Sequence, residues 1–152
     1  CGKNIGHRRG AMSDMNVEVK RDYGFPATAV WGVLGNFGDL SWAGNPPMEV
    51  IGSGPGMIRR LTMPGMAPID EQLESIDHAT RTLAYTIPRG LPMPVRNYAA
   101  VIHVEETGAD SCRVRWNATA VPDGVSAEQA GQIIEGAYGQ MLGWLQERLE
   151  QG

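Results

Sequence analysis

Apolar residues near the end of the chain recur at three- and four-residue intervals: Ala130, Ile133, Ile134, Ala137, Tyr138, Met141, Leu145 and Leu149. At about 100° per residue they gather on one broad face, with Gln132, Glu135, Gln146, Glu147 and Glu150 opposite, which predicts an amphipathic helix over 126–150. Ser126-Ala127-Glu128-Gln129 marks its start as a capping box, the serine oxygen taking the amide of Gln129 and the glutamine reaching back. A helix of roughly 24 residues is about 36 Å long, enough to cross a small domain. It needs an apolar surface of similar length to cover it.

Upstream the period changes to two. Asn16 to Tyr23 alternates until Arg21, and further strands are predicted over Met48–Ile51, Met57–Met63, Ile69–Ile76, Thr82–Ile87, Val95–Glu105 and Ser111–Val121. Turn-forming clusters separate them, among them Gly52-Ser53-Gly54-Pro55-Gly56 and Thr107-Gly108-Ala109-Asp110. After the first strand, Phe25-Pro26 opens a short helix with Val30, Trp31, Val33 and Leu34 on its apolar side, and a second helical turn is expected at Leu40 to Ala43. The predicted order is strand, two short helices, six strands, long helix. Short turns between strands make an antiparallel meander, so the class is α+β, with one sheet of about seven strands and the last helix on its apolar face. Ile133, Ala137, Met141 and Leu145 are expected to pack toward Val114, Trp116 and Ala118. Residues 1–15, glycine-bearing and without periodicity, read as a tail or vector remnant with Met12 and Met15 as candidate starts, and the single domain as 16–152.

Bulk properties narrow the function. A chain of 152 residues, 42% hydrophobic and 20% charged, is one ordinary globular domain. A net charge of −4 without a basic face argues against a nucleic-acid partner, and no apolar run reaches the roughly 20 residues of a membrane span. Two cysteines make no disulfide framework; Cys112 reads as a small sheet residue in a reducing compartment, so a cytoplasmic location is expected.

The chemistry-bearing residues are few. His7, His78 and His103 have no metal-ligand spacing, no Cys/His cluster exists, and no phosphate-binding loop or nucleophile elbow appears, so neither metal nor cofactor is expected. Strand alternation puts Val114, Trp116, Ala118 and Ala120 on one face, and Leu83, Tyr85 and Ile87 on another strand's inner face. Tyr98 shares a parity with Ala100, Ile102 and Val104. Glu71 shares a face with Leu73, where a carboxylate is costly unless paired; Arg59, in phase with Met57, Leu61 and Met63, is its candidate partner. The alternative is a Glu71 that points outward to a surface arginine. Pro64–Pro68 and Pro88–Pro94 are proline-rich loops with apolar tips at Met66 and Leu91. Gly136, Gly139 and Gly143 form a smooth helix stripe, either tolerated or a contact surface for a partner such as a second copy of the chain.

Gly54-Pro55-Gly56-Met57-Ile58-Arg59-Arg60-Leu61-Thr62, then Glu71-Gln72-Leu73-Glu74-Ser75-Ile76-Asp77, then Pro94-Val95-Arg96-Asn97-Tyr98 resemble bacterial polyketide cyclase/dehydrase-like proteins of the START / Bet v 1-like (SRPBCC) superfamily. With Trp116 and the terminal helix, the resemblance spans Val17 to Leu149. It implies a helix-grip fold, a curved antiparallel sheet wrapped around the long C-terminal helix with a cavity between them. The superfamily includes lipid carriers, hormone receptors, cyclases and partner-binding proteins. In the plant abscisic acid receptors, residues at positions resembling Glu71 and Tyr98 line the ligand pocket, and loops placed like the two proline-rich ones act as lids. The expected ligand-binding set is Arg59, Met63, Met66, Glu71, Tyr85, Ile87, Leu91, Tyr98, Ala100, Trp116, Ala118, Tyr138 and Met141. The expected function is binding or carriage of an apolar small molecule. The alternatives are a cyclase or dehydratase working through Glu71 and Tyr98, and a protein-partner module.

Overall fold

The alternating segments pair into one antiparallel sheet. The computed structural model describes residues 14–152. Among them β1 (Met15–Tyr23) precedes α1 (Ala27–Leu34), followed by β2 (Met48–Ile51), β3 (Ile58–Leu61), β4 (Ile69–Asp77), β5 (Thr82–Arg89), β6 (Val95–Gly108) and β7 (Ser111–Pro122). The chain closes with α2 (Ala127–Gln151). The strand order is β1-β7-β6-β5-β4-β3-β2. Strands β2 to β7 meander, and β1 returns along β7 from Met15 opposite Ala120 to Tyr23 opposite Cys112.

Two details differ from the sequence expectation. The first strand begins at Met15, inside the segment read as a tail; the rest of that segment, residues 1–13, lies outside the described residues. The second short helix is only a turn, in which Ala43 N donates to Leu40 O at 2.9 Å. It cannot extend because Gly44 and Asn45 take φ of 78° and 48°, and Pro46-Pro47 then supply no amide donors.

Register shifts curl the sheet. They fall twice between β4 and β5, at Asp70/Gln72 and Leu73/Ser75, and twice between β6 and β7, at Arg96/Ala99 and Glu106/Gly108. A bulge bends its strand and increases its twist. At Asn97, φ of 57° makes the third one, so Val95 and Tyr98 both end up buried although three positions apart. An asparagine tolerates that left-handed geometry better than most residues.

Helix α2 begins with the capping box: Gln129 N donates to Ser126 Oγ at 3.1 Å and Ser126 N donates to Gln129 Oε1 at 3.2 Å. Its buried stripe is Ala130, Ile134, Tyr138, Leu142 and Leu145. The expected Leu145 is in it, but Ile133 and Ala137 are exposed. The cause is where the helix sits. It lies closest to β1 and β7, with Gly131 over Met15 and Val17, and Tyr23 Oη donates to Leu142 O at 2.7 Å. Docking on that side rotates the contact stripe by one residue and leaves the other half of the concave face uncovered by close helix packing.

Candidate functional site

The uncovered half of the concave face is a cavity of about 380 Å³. Its floor is Leu61 of β3, Ile69 and Glu71 of β4, Tyr85 and Ile87 of β5, Tyr98 of β6 and Trp116 of β7. The roof is the second apolar stripe of α2, Ile133, Ala137, Met141 and Trp144, together with Tyr138 and Gln140. Leu40, Ala43 and Pro46 from the turn, Met63, and Pro92 and Met93 from the loop after β5 complete the wall. Ile133 is 45% exposed because this side opens to solvent. The volume is within the usual scale of small-ligand sites, a few hundred Å³. Two hollows of comparable size, one beside Asn97 and Thr119 and one along β1 and the start of α2, carry no aromatic side chain.

One end of the cavity is polar. Arg59 Nε donates to Glu71 Oε1 at 2.5 Å, and Arg59 Nη1 donates to the Phe37 carbonyl at 3.0 Å. The guanidinium carbon lies 3.9 Å from the Phe37 ring centroid and 5.5 Å from that of Tyr85. A buried cation is held here by a carboxylate, a carbonyl and an aromatic face together. Glu71 contributes to the cavity wall while Arg59 sits behind it.

Beside this pair the hydroxyls of Tyr85 and Tyr98 lie 3.2 Å apart, and Tyr98 in turn contacts the hydroxyl of Tyr138. Tyr138 stacks on Trp116 with ring centroids 4.3 Å apart and 17° between planes. The helix is thereby joined to β5, β6 and β7 through one aromatic cluster. Burial pushes the Tyr85 phenol up to about 12, with the Glu71 charge adding to the shift. Burial raises Tyr98 and Tyr138 as well, so all three are held as neutral phenols. The Trp116 indole N–H is buried without a hydrogen-bond partner among the described residues.

Of the residues singled out from the sequence, Met63, Glu71, Tyr85, Ile87, Tyr98, Trp116, Tyr138 and Met141 line the cavity, and Arg59 lies one layer behind. Met66 is 47% exposed and stands clear of it, and Leu91 packs against the core beside it. Ala100 and Ala118, cross-strand partners, are buried in the sheet rather than at the cavity wall. The reading of Glu71 as outward-facing does not hold: its partner is Arg59 on the inner face. Sequence reasoning missed Trp144, Ala137 and Ile133 as roof and Leu40, Ala43 and Pro46 as wall. The periodic signal for the roof was present, but the rotation of the helix decides which apolar stripe faces the core and which faces the cavity.

The two proline-rich loops meet at the base of the mouth. Gly90, with φ of 75°, lies so near Pro68 that a Cβ there would come within 2.0 Å of the Pro68 carbonyl oxygen. Asp70 just beyond is held by Arg60 through 2.7 and 3.2 Å contacts and by Arg89 at 3.1 Å, and the Arg60 hydrogen bond leads the effects that hold its carboxyl below the usual range. Among the described residues no cluster of side chains could hold a metal ion, and no helix is long and apolar enough to cross a membrane.

A family model described as polyketide cyclase / dehydrase and lipid transport matches residues 14–150. The chain belongs to this family. No curated protein sequence matches it closely enough to indicate relationship. Among solved structures, the protein XoxI from Bacillus cereus is 29% identical with a TM-score of 0.78, over 88% of this chain and 94% of its own. A Thermobifida fusca protein solved in solution is 25% identical with a TM-score of 0.79, over 90% and 93%. Norcoclaurine synthase from Thalictrum flavum, solved with dopamine and hydroxybenzaldehyde, is 20% identical with a TM-score of 0.72, over 93% and 90%, and shows the shared Bet v 1-like fold. The polyketide cyclase family membership agrees with the helix-grip architecture, since a sheet curled around one helix leaves a cavity on the side the helix does not fill.

Proposed function

We propose that the protein binds and carries an apolar small molecule, lipid-, polyketide- or aromatic-like, in the cavity between the sheet and α2. The observation that carries this reading is the cavity of about 380 Å³ with apolar and aromatic walls and a single polar end. The family description, which includes lipid transport, supports it. Met63, Ile87, Trp116 and Met141 are assigned to the apolar body of the ligand, and Glu71, Tyr85, Tyr98 and Tyr138 to its polar group, with Arg59 holding Glu71. A cyclase or dehydratase reading needs Glu71 free to act on the ligand, and its 2.5 Å contact with Arg59 favours a fixed, orienting group instead.

The test is titration with an apolar dye that fluoresces in a dry site, on the unaltered protein and on Ala137→Trp. Ala137 is exposed on the helix yet lines the cavity, so tryptophan there fills the space without disturbing the core. Saturable binding that falls at least about tenfold in Ala137→Trp, with an unchanged circular dichroism spectrum, is expected. Equal binding by both proteins would remove the cavity as the site.

A further inference from the structure

At the polar end of the cavity the two oxygens of Glu71 are not equivalent. Oε1 accepts from Arg59 Nε at 2.5 Å, whereas Oε2 has no hydrogen-bond partner among the described residues. It is not sealed in either. The Glu71 side chain keeps 16% of its surface and lines the cavity. Among the described residues the one fully buried side-chain polar atom without a partner is Trp116 Nε1, so Oε2 is an acceptor that a molecule in the cavity can reach. An ion-paired carboxylate has about four lone-pair positions and no hydrogen of its own, so what it lacks is a donor.

The neighbouring groups restrict the donor. Arg59 already matches the Glu71 charge, so an ammonium would bring a second cation to one carboxylate inside a largely apolar space. A ligand carboxylate brings no hydrogen and would set like charges side by side. A hydroxyl brings a hydrogen without a charge. It also suits either arrangement of the neighbouring Tyr85–Tyr98 pair, in which either oxygen can be the donor, because a hydroxyl both donates and accepts.

We propose that Glu71 Oε2 is a hydroxyl-binding site: the ligand is an uncharged apolar molecule ending in an alcohol or phenol, whose O–H donates to Oε2 while its apolar body lies against Ile87, Trp116 and Met141. Arg59 is a positioning residue, which fixes Oε1 and leaves Oε2 for the ligand. This deepens the ligand-binding reading above and rests on it.

Dye displacement on the full chain by naphthol, its methyl ether and naphthylmethylamine tests it. The ether keeps the ring and the oxygen and lacks only the donated hydrogen; the amine, protonated at neutral pH, carries the charge. The reading is the naphthol-to-ether affinity ratio. It is expected to fall about tenfold or more in Arg59→Met with Glu71→Leu, which removes the acceptor and its buried counter-charge together, the value of one hydrogen bond to a charged group. The ether's own affinity should change less than about twofold, and the amine should bind weakest of the three. On the unaltered protein the absorption band of bound naphthol should lie further to the red of its position in hydrocarbon than the ether's band does. If the double variant does not fold, that band decides alone, and a shift no larger than the ether's overturns the hydroxyl site. An unchanged ratio, or the amine as the tightest probe, overturns the hydroxyl site while leaving the cavity a binding site. Failure of all three to displace the dye overturns the hydroxyl site and the apolar-ligand reading together.

Discussion

Arg59 and Glu71 stand opposite one another on β3 and β4, and Arg59 Nε donates to Glu71 Oε1 at 2.5 Å. Their side chains are only 8% and 16% exposed, so each neutralises a charge that water does not. A buried ion pair adds little net stability when intact, but breaking it leaves one charge without a partner.

Glu71→Gln should therefore cost about 2–4 kcal/mol, because the Arg59 guanidinium stays buried without its counter-charge. The double variant Arg59→Met with Glu71→Gln should recover most of that loss. Urea unfolding of the three proteins measures both numbers. Additive losses in the double variant would mean that the two residues act independently.

Alkaline pH should unfold the protein through its tyrosines. All four, Tyr23, Tyr85, Tyr98 and Tyr138, are buried. Burial pushes Tyr23 and Tyr85 up to about 12, against an ordinary value of about 10 in the unfolded chain. A raised folded value stabilises fully below the unfolded one and is lost as pH climbs through the folded one. Stability should thus hold to about pH 10 and decline toward about pH 12, as these shifts predict. Tyrosinate absorbance should appear in one cooperative step with loss of helix signal. A gradual tyrosine titration centred near pH 10, preceding unfolding, would contradict the buried hydroxyl cluster.

Gly90→Ala should destabilise by about 2 kcal/mol or more, since the residue needs a left-handed backbone and its Cβ would collide with a backbone carbonyl that cannot rotate away. The φ of 75° and the 2.0 Å approach to Pro68 O motivate this. Limited proteolysis should show faster cutting in the Pro64–Pro68 and Pro88–Pro94 loops, which the close approach holds together. Unchanged stability and unchanged cutting would show that the loops are not coupled there.

Gly136→Ala and Gly139→Ala should each stabilise the helix by about 0.5–1 kcal/mol, the usual helix-propensity gain of alanine over glycine. A Cβ at either position meets no atom within 4 Å. Thermal unfolding checks the gain, and sedimentation at the same concentration checks the assembly state. Destabilisation together with loss of a dimer would instead make the smooth stripe a contact surface between copies.

How much of this could be read along the chain follows from the range of each interaction. The period-two and period-3.6 patterns are local, so the strands, the long helix, its capping box and the meander order were all legible from residue spacing. Glu71 stood out because a carboxylate in an inward parity demands a partner, and Arg59 was in phase to supply it. The position of Tyr98 was legible only from its parity with Ala100 and Ile102; the bulge at Asn97 that makes Val95 inward as well depends on pairing with β7. What the tertiary structure alone decided is the rotation of α2. Nine residues of β1 pair with the last strand, and the helix docks over that β1–β7 edge through Gly131 and the Tyr23–Leu142 hydrogen bond. That choice sends Ile134, Tyr138 and Leu142 into the core and leaves Ile133, Ala137 and Met141 over an open space. An apolar face that is broad enough for either stripe carries no local signal of which one will be covered, because the difference lies entirely in contacts between segments more than a hundred residues apart, such as Tyr23 and Leu142, for which |i−j| is 119.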